Sequence, residues 1–209
     1  MSPLIDFFFG QYHNVAPVDI ALELIAVFFG LASVWYAKQN NIAVYPTGML
    51  STAIFVYLLW KWTLLGDMLI QAYFFVMSVY GWFIWTRQRG GQVLHPIQYT
   101  TPKEKGWAML LFVASLGFVY LVYTFFDRWE DPFAKIDTLT TAIFFVGMWL
   151  MAKRKIEHWI FWIVGDVISI QLYFLKGFTV TSMQYLIFTF IAISGYRLWK
   201  KERSLAVKK

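Results

Sequence analysis

The sequence predicts an all-α membrane protein: seven transmembrane helices, arranged as two parallel three-helix repeats joined by a linker helix. Three observations predict it. Of the 209 residues, 59% are hydrophobic and only 14% are charged, against about 45–50% and about 25% in soluble domains. The apolar residues gather in seven blocks of about 20, long enough to cross a hydrocarbon layer about 30 Å thick at about 1.5 Å per residue. And the first three blocks align with the last three when the chain is slid along itself by 114 residues.

The first block is 19–37, and the chain turns after it at Asn40-Asn41. The second, 43–62, carries Pro46 in its first turn, where a missing N–H is tolerated. The third, 67–85, contains "GDMLIQAYFFVMSVYGW" and is followed by Gly90-Gly91. The fourth, 106–126, is the linker. Asp131-Pro132 separates it from the fifth, 136–152. The sixth, 157–175, stops at Lys176-Gly177, and the seventh covers 179–199. The whole chain, 1–209, reads as a single transmembrane domain, with repeat one at 19–85, repeat two at 136–199 and a basic cytoplasmic tail at 200–209.

Seven spans sort the basic residues sharply. Lys61, Arg128, Lys135 and Lys176 fall on one side, and the other 14 of the 18 Lys and Arg fall on the opposite side. The positive-inside bias then puts the N-terminus outside and the C-terminus in the cytoplasm. An even number of spans would break the segregation. The net charge of +6 is thus a topology signal and gives no support to nucleic-acid binding. No basic n-region precedes a cleavage site near the N-terminus, so no removable signal peptide is expected. With no cysteine, disulfides and thiolate chemistry are excluded.

The 114-residue slide pairs Trp35 with Trp149, Leu58 with Leu172, Phe74 with Phe188, Gly81 with Gly195 and Trp85 with Trp199. It also pairs Glu23 with Asp137, each near a helix start. Four spans separate the first helix from the fifth, so the triplets run parallel. Parallel repeats of this kind occur in transporters, whose substrate sites lie near midplane at the repeat interface. A duplicated bundle with no transport role is the competing reading.

The sixth block holds the most informative face. Trp159, Trp162, Asp166, Ser169 and Tyr173 are spaced 3, 4, 3 and 4. At about 100° per residue they share one stripe, with Asp166 about 10 Å below Trp159. An ionised Asp at mid-bilayer costs about 2.5–3.5 kcal/mol on insertion scales, and no Lys or Arg lies within the block to offset it. It must face a cavity, a partner helix or a ligand. Indole faces above a carboxylate suit a flat cationic ring, through stacking and a cation–π attraction of about 2 kcal/mol when desolvated. Trp159 alone is also explained as an interfacial belt residue. Gln71 in the third block and Gln184 in the seventh sit at nearly matching places, and an amide there can both donate to and accept from a carboxamide. Asp67 reads more simply as a helix-start residue. Asn41, Tyr45 and Thr47 are read as a turn and its cap.

Other chemistry is poorly supported. His13, His95 and His158 lie at or beyond the span boundaries and do not cluster, so no metal site is expected. No Walker-type loop or zinc-protease motif is present. No nucleophile–base pair points to an enzyme, and no cofactor is implied. Gly81 and Gly195 suggest close helix approach. Glu23 and Asp137 suit a helix-dipole role or pairing with neighbours.

The pattern W-x-x-W-x-x-x-D at Trp159, Trp162 and Asp166, followed by "LYFLKGFTVTS", resembles the PnuC family of vitamin transporters. So do "GDMLIQAYFFVMSVYGW" and "VGMWLMAKRKIEHW", and the similarity runs from about Leu22 to Trp199. The resemblance implies a SWEET-like 3+1+3 arrangement, a homotrimer in the bacterial inner membrane, and uptake of nicotinamide riboside by facilitated diffusion with trapping by cytoplasmic phosphorylation. It implies that Trp159 and Trp162 line the nicotinamide pocket, that Asp166 stands where the family has Asn or Asp, and that Gln71 matches the family's helix-3 glutamine. Tyr173, Gln184 and Ser169 complete the candidate substrate site. Thiamine-carrying relatives share the architecture, so thiamine stays open as the substrate, as does proton-coupled transport through Asp166.

Overall fold

A computed structural model describes residues 15–89, 92–93, 96–127, 129–177 and 179–207. His13, His95, Gly90-Gly91, Arg128, Lys208 and Lys209 lie outside the described residues. Seven α-helices are described: α1 (Pro17–Lys38), α2 (Val44–Lys61), α3 (Leu65–Thr86), α4 (Pro102–Phe125), α5 (Ala134–Ala152), α6 (His158–Leu175) and α7 (Thr179–Val207). Two short strands, β1 (Gln88–Arg89) and β2 (Gln92–Val93), pair antiparallel between α3 and α4. By length and composition α1, α3, α4, α5 and α6 are each able to cross a membrane. The other two are diluted by polar and small residues: Thr47, Gly48, Ser51 and Thr52 in α2, and Thr181, Ser182, Gln184 and a basic end in α7.

Two boundaries differ from the sequence expectation by more than two residues. Helix α4 begins at Pro102, not 106, because Thr101 and Glu104 form a capping box. The Thr101 hydroxyl accepts from the Glu104 N–H, and the Thr101 N–H donates to the Glu104 carboxylate at 2.9 Å. Helix α7 continues through the expected basic tail to Val207. Lys200, Lys201, Glu202 and Arg203 are good helix formers with no Gly or Pro among them, so nothing stops the helix at the membrane surface.

The principal helix pairings are α1 with α2, α2 with α3, α3 with α5, α5 with α6, α6 with α7, and α7 with α1. They close a ring of six. Helix α4 lies outside it, against α5. That cover explains why α5 is the most buried helix, whereas α1 leaves Val18, Leu24, Ile25, Phe28 and Trp35 exposed.

Residues 114 apart occupy matching structural positions. Helices α1 and α5 both end with a left-handed residue, Asn40 at φ 52° and Arg154 at φ 53°. Both ends are Schellman motifs: Asn41 and Lys155 each donate at 3.0 Å, to Tyr36 O and Leu150 O. Helices α2 and α6 likewise end at Thr63 (φ 59°) and Gly177 (φ 81°). The Trp85 indole N–H donates to Ala152 O at 3.1 Å, and the Trp199 indole N–H donates to Ala37 O at 3.0 Å. The C-terminal end of α3 is thereby tied to that of α5, and the inner part of α7 to the end of α1, so these four helices run in the same direction. Tyr45 meets Trp85 edge to face at 5.1 Å, as Trp159 meets Trp199 at 5.8 Å. The Tyr45 ring rests on Gly81 and the Trp159 ring on Gly195, where a Cβ would overlap each ring. The glycines thus do allow the close approach expected of them.

Candidate functional site

The ring of helices encloses a cavity of about 760 Å³, within the range of about 300–1,000 Å³ usual for small-molecule sites. Trp159, Trp162, Asp166, Ser169 and Tyr173 of α6 all line it, and so do Gln71 of α3 and Gln184 of α7. The structure therefore brings all seven candidate residues to one space. The opposite face of α6 carries Ile160, Val164 and Val167, each 44–45% exposed. One helix thus turns its polar and aromatic stripe inward and its aliphatic residues outward, as 3.6-residue periodicity requires.

Asp166 is 2% exposed. It lies eight residues from the first residue of α6 and nine from the last, about 12 and 13 Å along the axis. Its carboxylate is held at mid-depth beside open space, not in lipid-facing packing. Among the described residues, the charged ones lining the cavity are Glu23, Asp67, Asp137, Asp166 and Lys176, four carboxylates and one ammonium. Lys176 pairs with Asp137 and lies 3.6 Å from Asp131. Pairing with a neighbour is thus realised for Asp137, which is also in the first turn of α5. A smaller hollow of about 70 Å³ adjoins this cluster, lined by Asp67, Tyr123, Asp131, Asp137 and Lys176.

The two indoles of the stripe are placed differently. Trp159 is 1% exposed, with its ring on Gly195, the edge of Trp199 against it and His158 at 4.3 Å. It forms an end wall, beside the aromatic layer of Tyr45, Trp85 and Trp199. Trp162 instead belongs to a row of rings along the cavity: Trp162 to Phe144 at 5.3 Å, Phe144 to Tyr185 at 6.1 Å and Tyr185 to Tyr173 at 5.2 Å. Glycine makes room for this row, since Phe144 covers Gly165. Among the described residues, the Ser169 hydroxyl and the Trp159 indole N–H are buried without a hydrogen-bond partner. His158 is fully buried; its Nδ1 lies 2.6 Å from Lys155 O and its ring packs on Trp159 and Trp199.

Several lining residues had no place in the sequence expectation: Phe144, Tyr185, and the hydroxyls Ser33, Ser51, Thr52 and Ser78. The 114-residue slide could have found two of them. Thr52 is the counterpart of Asp166, and Tyr185 is the counterpart of Gln71.

Comparison with known proteins agrees with this architecture. The nicotinamide riboside transporter PnuC of Escherichia coli is 27% identical over 202 residues, covering 85% of this chain and 84% of that protein. The riboflavin/roseoflavin transporter RibM of Streptomyces davaonensis is 22% identical over 186 residues, covering 85% and 83%. The crystal structure of the vitamin B3 transporter PnuC superposes with a TM-score of 0.68 at 20% identity, over 95% of this chain and 88% of that one. Residues 20–201 match the model of the family described as nicotinamide mononucleotide transporter, a family of transporters and not of enzymes. This chain is a multi-pass membrane protein that belongs to that family, the PnuC family of vitamin transporters.

Proposed function

We propose that this chain carries nicotinamide riboside into the cell by facilitated diffusion, and that cytoplasmic phosphorylation of the arriving riboside keeps the gradient inward. The observation that supports it most is the meeting of Trp162, Asp166, Ser169, Tyr173, Gln71 and Gln184 on one cavity. A pyridinium ring against Trp162 and the aromatic row gains stacking and cation–π attraction. Asp166 balances its charge or accepts from its carboxamide, and Gln71 and Gln184 supply amide groups that both donate and accept. The excess of carboxylates over ammonium in the lining favours a cation. Trp159 closes one end of the site. The E. coli relative, a nicotinamide riboside transporter, points to the same substrate.

In this reading all seven helices span the inner membrane, in a SWEET-like 3+1+3 arrangement. Repeat one is 19–85, α4 is the linker, and repeat two is 136–199. The matched contacts, above all Trp85–Ala152 and Trp199–Ala37, whose tryptophans are 114 residues apart, support that division. The N-terminus is outside and the basic end of α7 is cytoplasmic, as the distribution of Lys and Arg favours. The assembly is a homotrimer, as the family resemblance implies; its mass in detergent, corrected for bound detergent, tests that.

A second reading has an observation in its favour. RibM carries riboflavin or roseoflavin, so a larger flat vitamin is the rival cargo, and thiamine remains a competitor. Calorimetric competition among nicotinamide riboside, thiamine and riboflavin on the purified chain decides between them. The expected result is tightest binding of the riboside; stronger displacement by either rival would transfer the assignment.

A further inference from the structure

The two walls of the cavity are built on matching backbone positions but carry opposite chemistry. On the α5–α6 side, the glycines are covered by aromatic residues: the Phe144 ring over Gly165, and the Phe161 Cβ and Trp162 ring against Gly147. On the α1–α2 side, the glycines are approached by hydroxyls. The nearest atom to a Cβ at Gly30 is Ser51 Oγ at 3.2 Å, and at Gly48 the nearest are Ser33 Oγ at 3.0 Å and Ser78 Oγ at 3.4 Å. Gly48 is the counterpart of Trp162, and Thr52 that of Asp166. Where one wall has an indole, the facing wall has a glycine closely contacted by serine hydroxyls.

Close helix packing explains part of this. The Ser33 hydroxyl donates to Val44 O and the Ser51 hydroxyl to Ala26 O, each at 2.8 Å, tying α1 to α2. Packing does not need the oxygens to border open space, and yet Ser33, Ser51, Thr52 and Ser78 all line the cavity. A hydroxyl that donates to a carbonyl keeps lone pairs that can accept from a second partner. On the facing wall the Ser169 hydroxyl is 1% exposed, lines the same cavity and has no hydrogen-bond partner among the described residues. A buried polar atom left in that state carries a desolvation penalty until something bonds to it, and a hydroxylated ligand spanning the cavity would do so.

We propose that Ser33, Thr52 and Ser78 around Gly48 form a hydroxyl-recognition subsite that takes the polyhydroxylated part of the ligand, opposite the aromatic wall that takes its ring. It sets the preference for a glycosylated ring over the bare ring. This rests on the assignment of the cavity as a riboside site.

The test is calorimetric binding of two probes, nicotinamide riboside and nicotinamide, to the purified full chain. Wild type should prefer the riboside. Thr52→Val and Ser78→Ala should each weaken riboside binding about 3- to 10-fold, as for one lost hydrogen bond, while nicotinamide binding changes by less than about twofold. Retained nicotinamide binding also reports that each variant is folded, and Thr52→Ser should restore the riboside preference. Equal loss for both probes, or no loss for either, would overturn the subsite and leave the cavity assignment standing. A wild-type chain that binds no riboside would overturn both.

Discussion

The indole of Trp159 lies flat against Gly195, and 114 residues earlier in each case the ring of Tyr45 lies against Gly81. Neither glycine has room for a Cβ. Gly195→Leu should therefore force the Trp159 ring out of place and destabilise the protein by about 1–3 kcal/mol, as overpacking typically does. Gly81→Leu should cost a similar amount. The midpoint of thermal unfolding in detergent measures both; unchanged midpoints would mean the glycines are not contact points.

The two tryptophans of α6 should respond differently. Trp162→Ala should weaken riboside binding by about 1–3 kcal/mol, the range seen for lost ring stacking, with little change in unfolding temperature. Trp159→Ala should chiefly lower the unfolding temperature, because that indole is packed into the end wall. Binding isotherms and melting curves on the same two variants check it. Equal losses of affinity would mean both indoles touch the ligand.

At position 166, charge and shape can be separated. Asp166→Leu removes every polar contact and should weaken binding by about 1.5–3 kcal/mol, as for a hydrogen bond to a charged group. Asp166→Asn keeps the acceptor and should lose less than half as much. Titration calorimetry distinguishes them, and a leucine variant with wild-type affinity would remove Asp166 from the site.

The Lys176–Asp137 pair connects the end of α6 to the first turn of α5, and both side chains are less than one-fifth exposed. Lys176→Met leaves the Asp137 carboxylate without its ammonium and should cost about 1–3 kcal/mol of stability, less than a fully buried pair. Asp137→Asn in the same chain should recover much of that. A double-mutant cycle on chemical unfolding reads the coupling; additive effects would mean the ion pair contributes nothing.

Much of this was legible in the sequence, and for physical reasons. A carboxylate amid an apolar run must face something polar, and Asp166 does line the cavity. Tryptophan and glycine matches survive in a repeat because each makes a contact with a specific partner, as Trp85 and Trp199 do. What was hidden is which face of α1, α2, α3 and α5 points inward. Membrane helices are apolar all round, and serine, threonine and glycine serve both packing and cavity. Ser33, Thr52 and Ser78 therefore gave no periodic signal. The capping box at Thr101 and Glu104 was readable, but hydropathy marks the apolar run and not the helix start. The eight-residue extension of α7 was hidden for the converse reason, because a charged segment can be a good helix.

In the proposed function, the cavity between α2 and α6 carries the riboside across the membrane. Uptake of labelled nicotinamide riboside into proteoliposomes holding wild type or Asp166→Leu tests it most directly. Wild type should bring internal and external riboside to equality with no imposed pH gradient, and Asp166→Leu should be severely slowed. Wild-type uptake no faster than in empty vesicles would contradict it, and uptake that requires a pH gradient would replace facilitated diffusion with proton coupling.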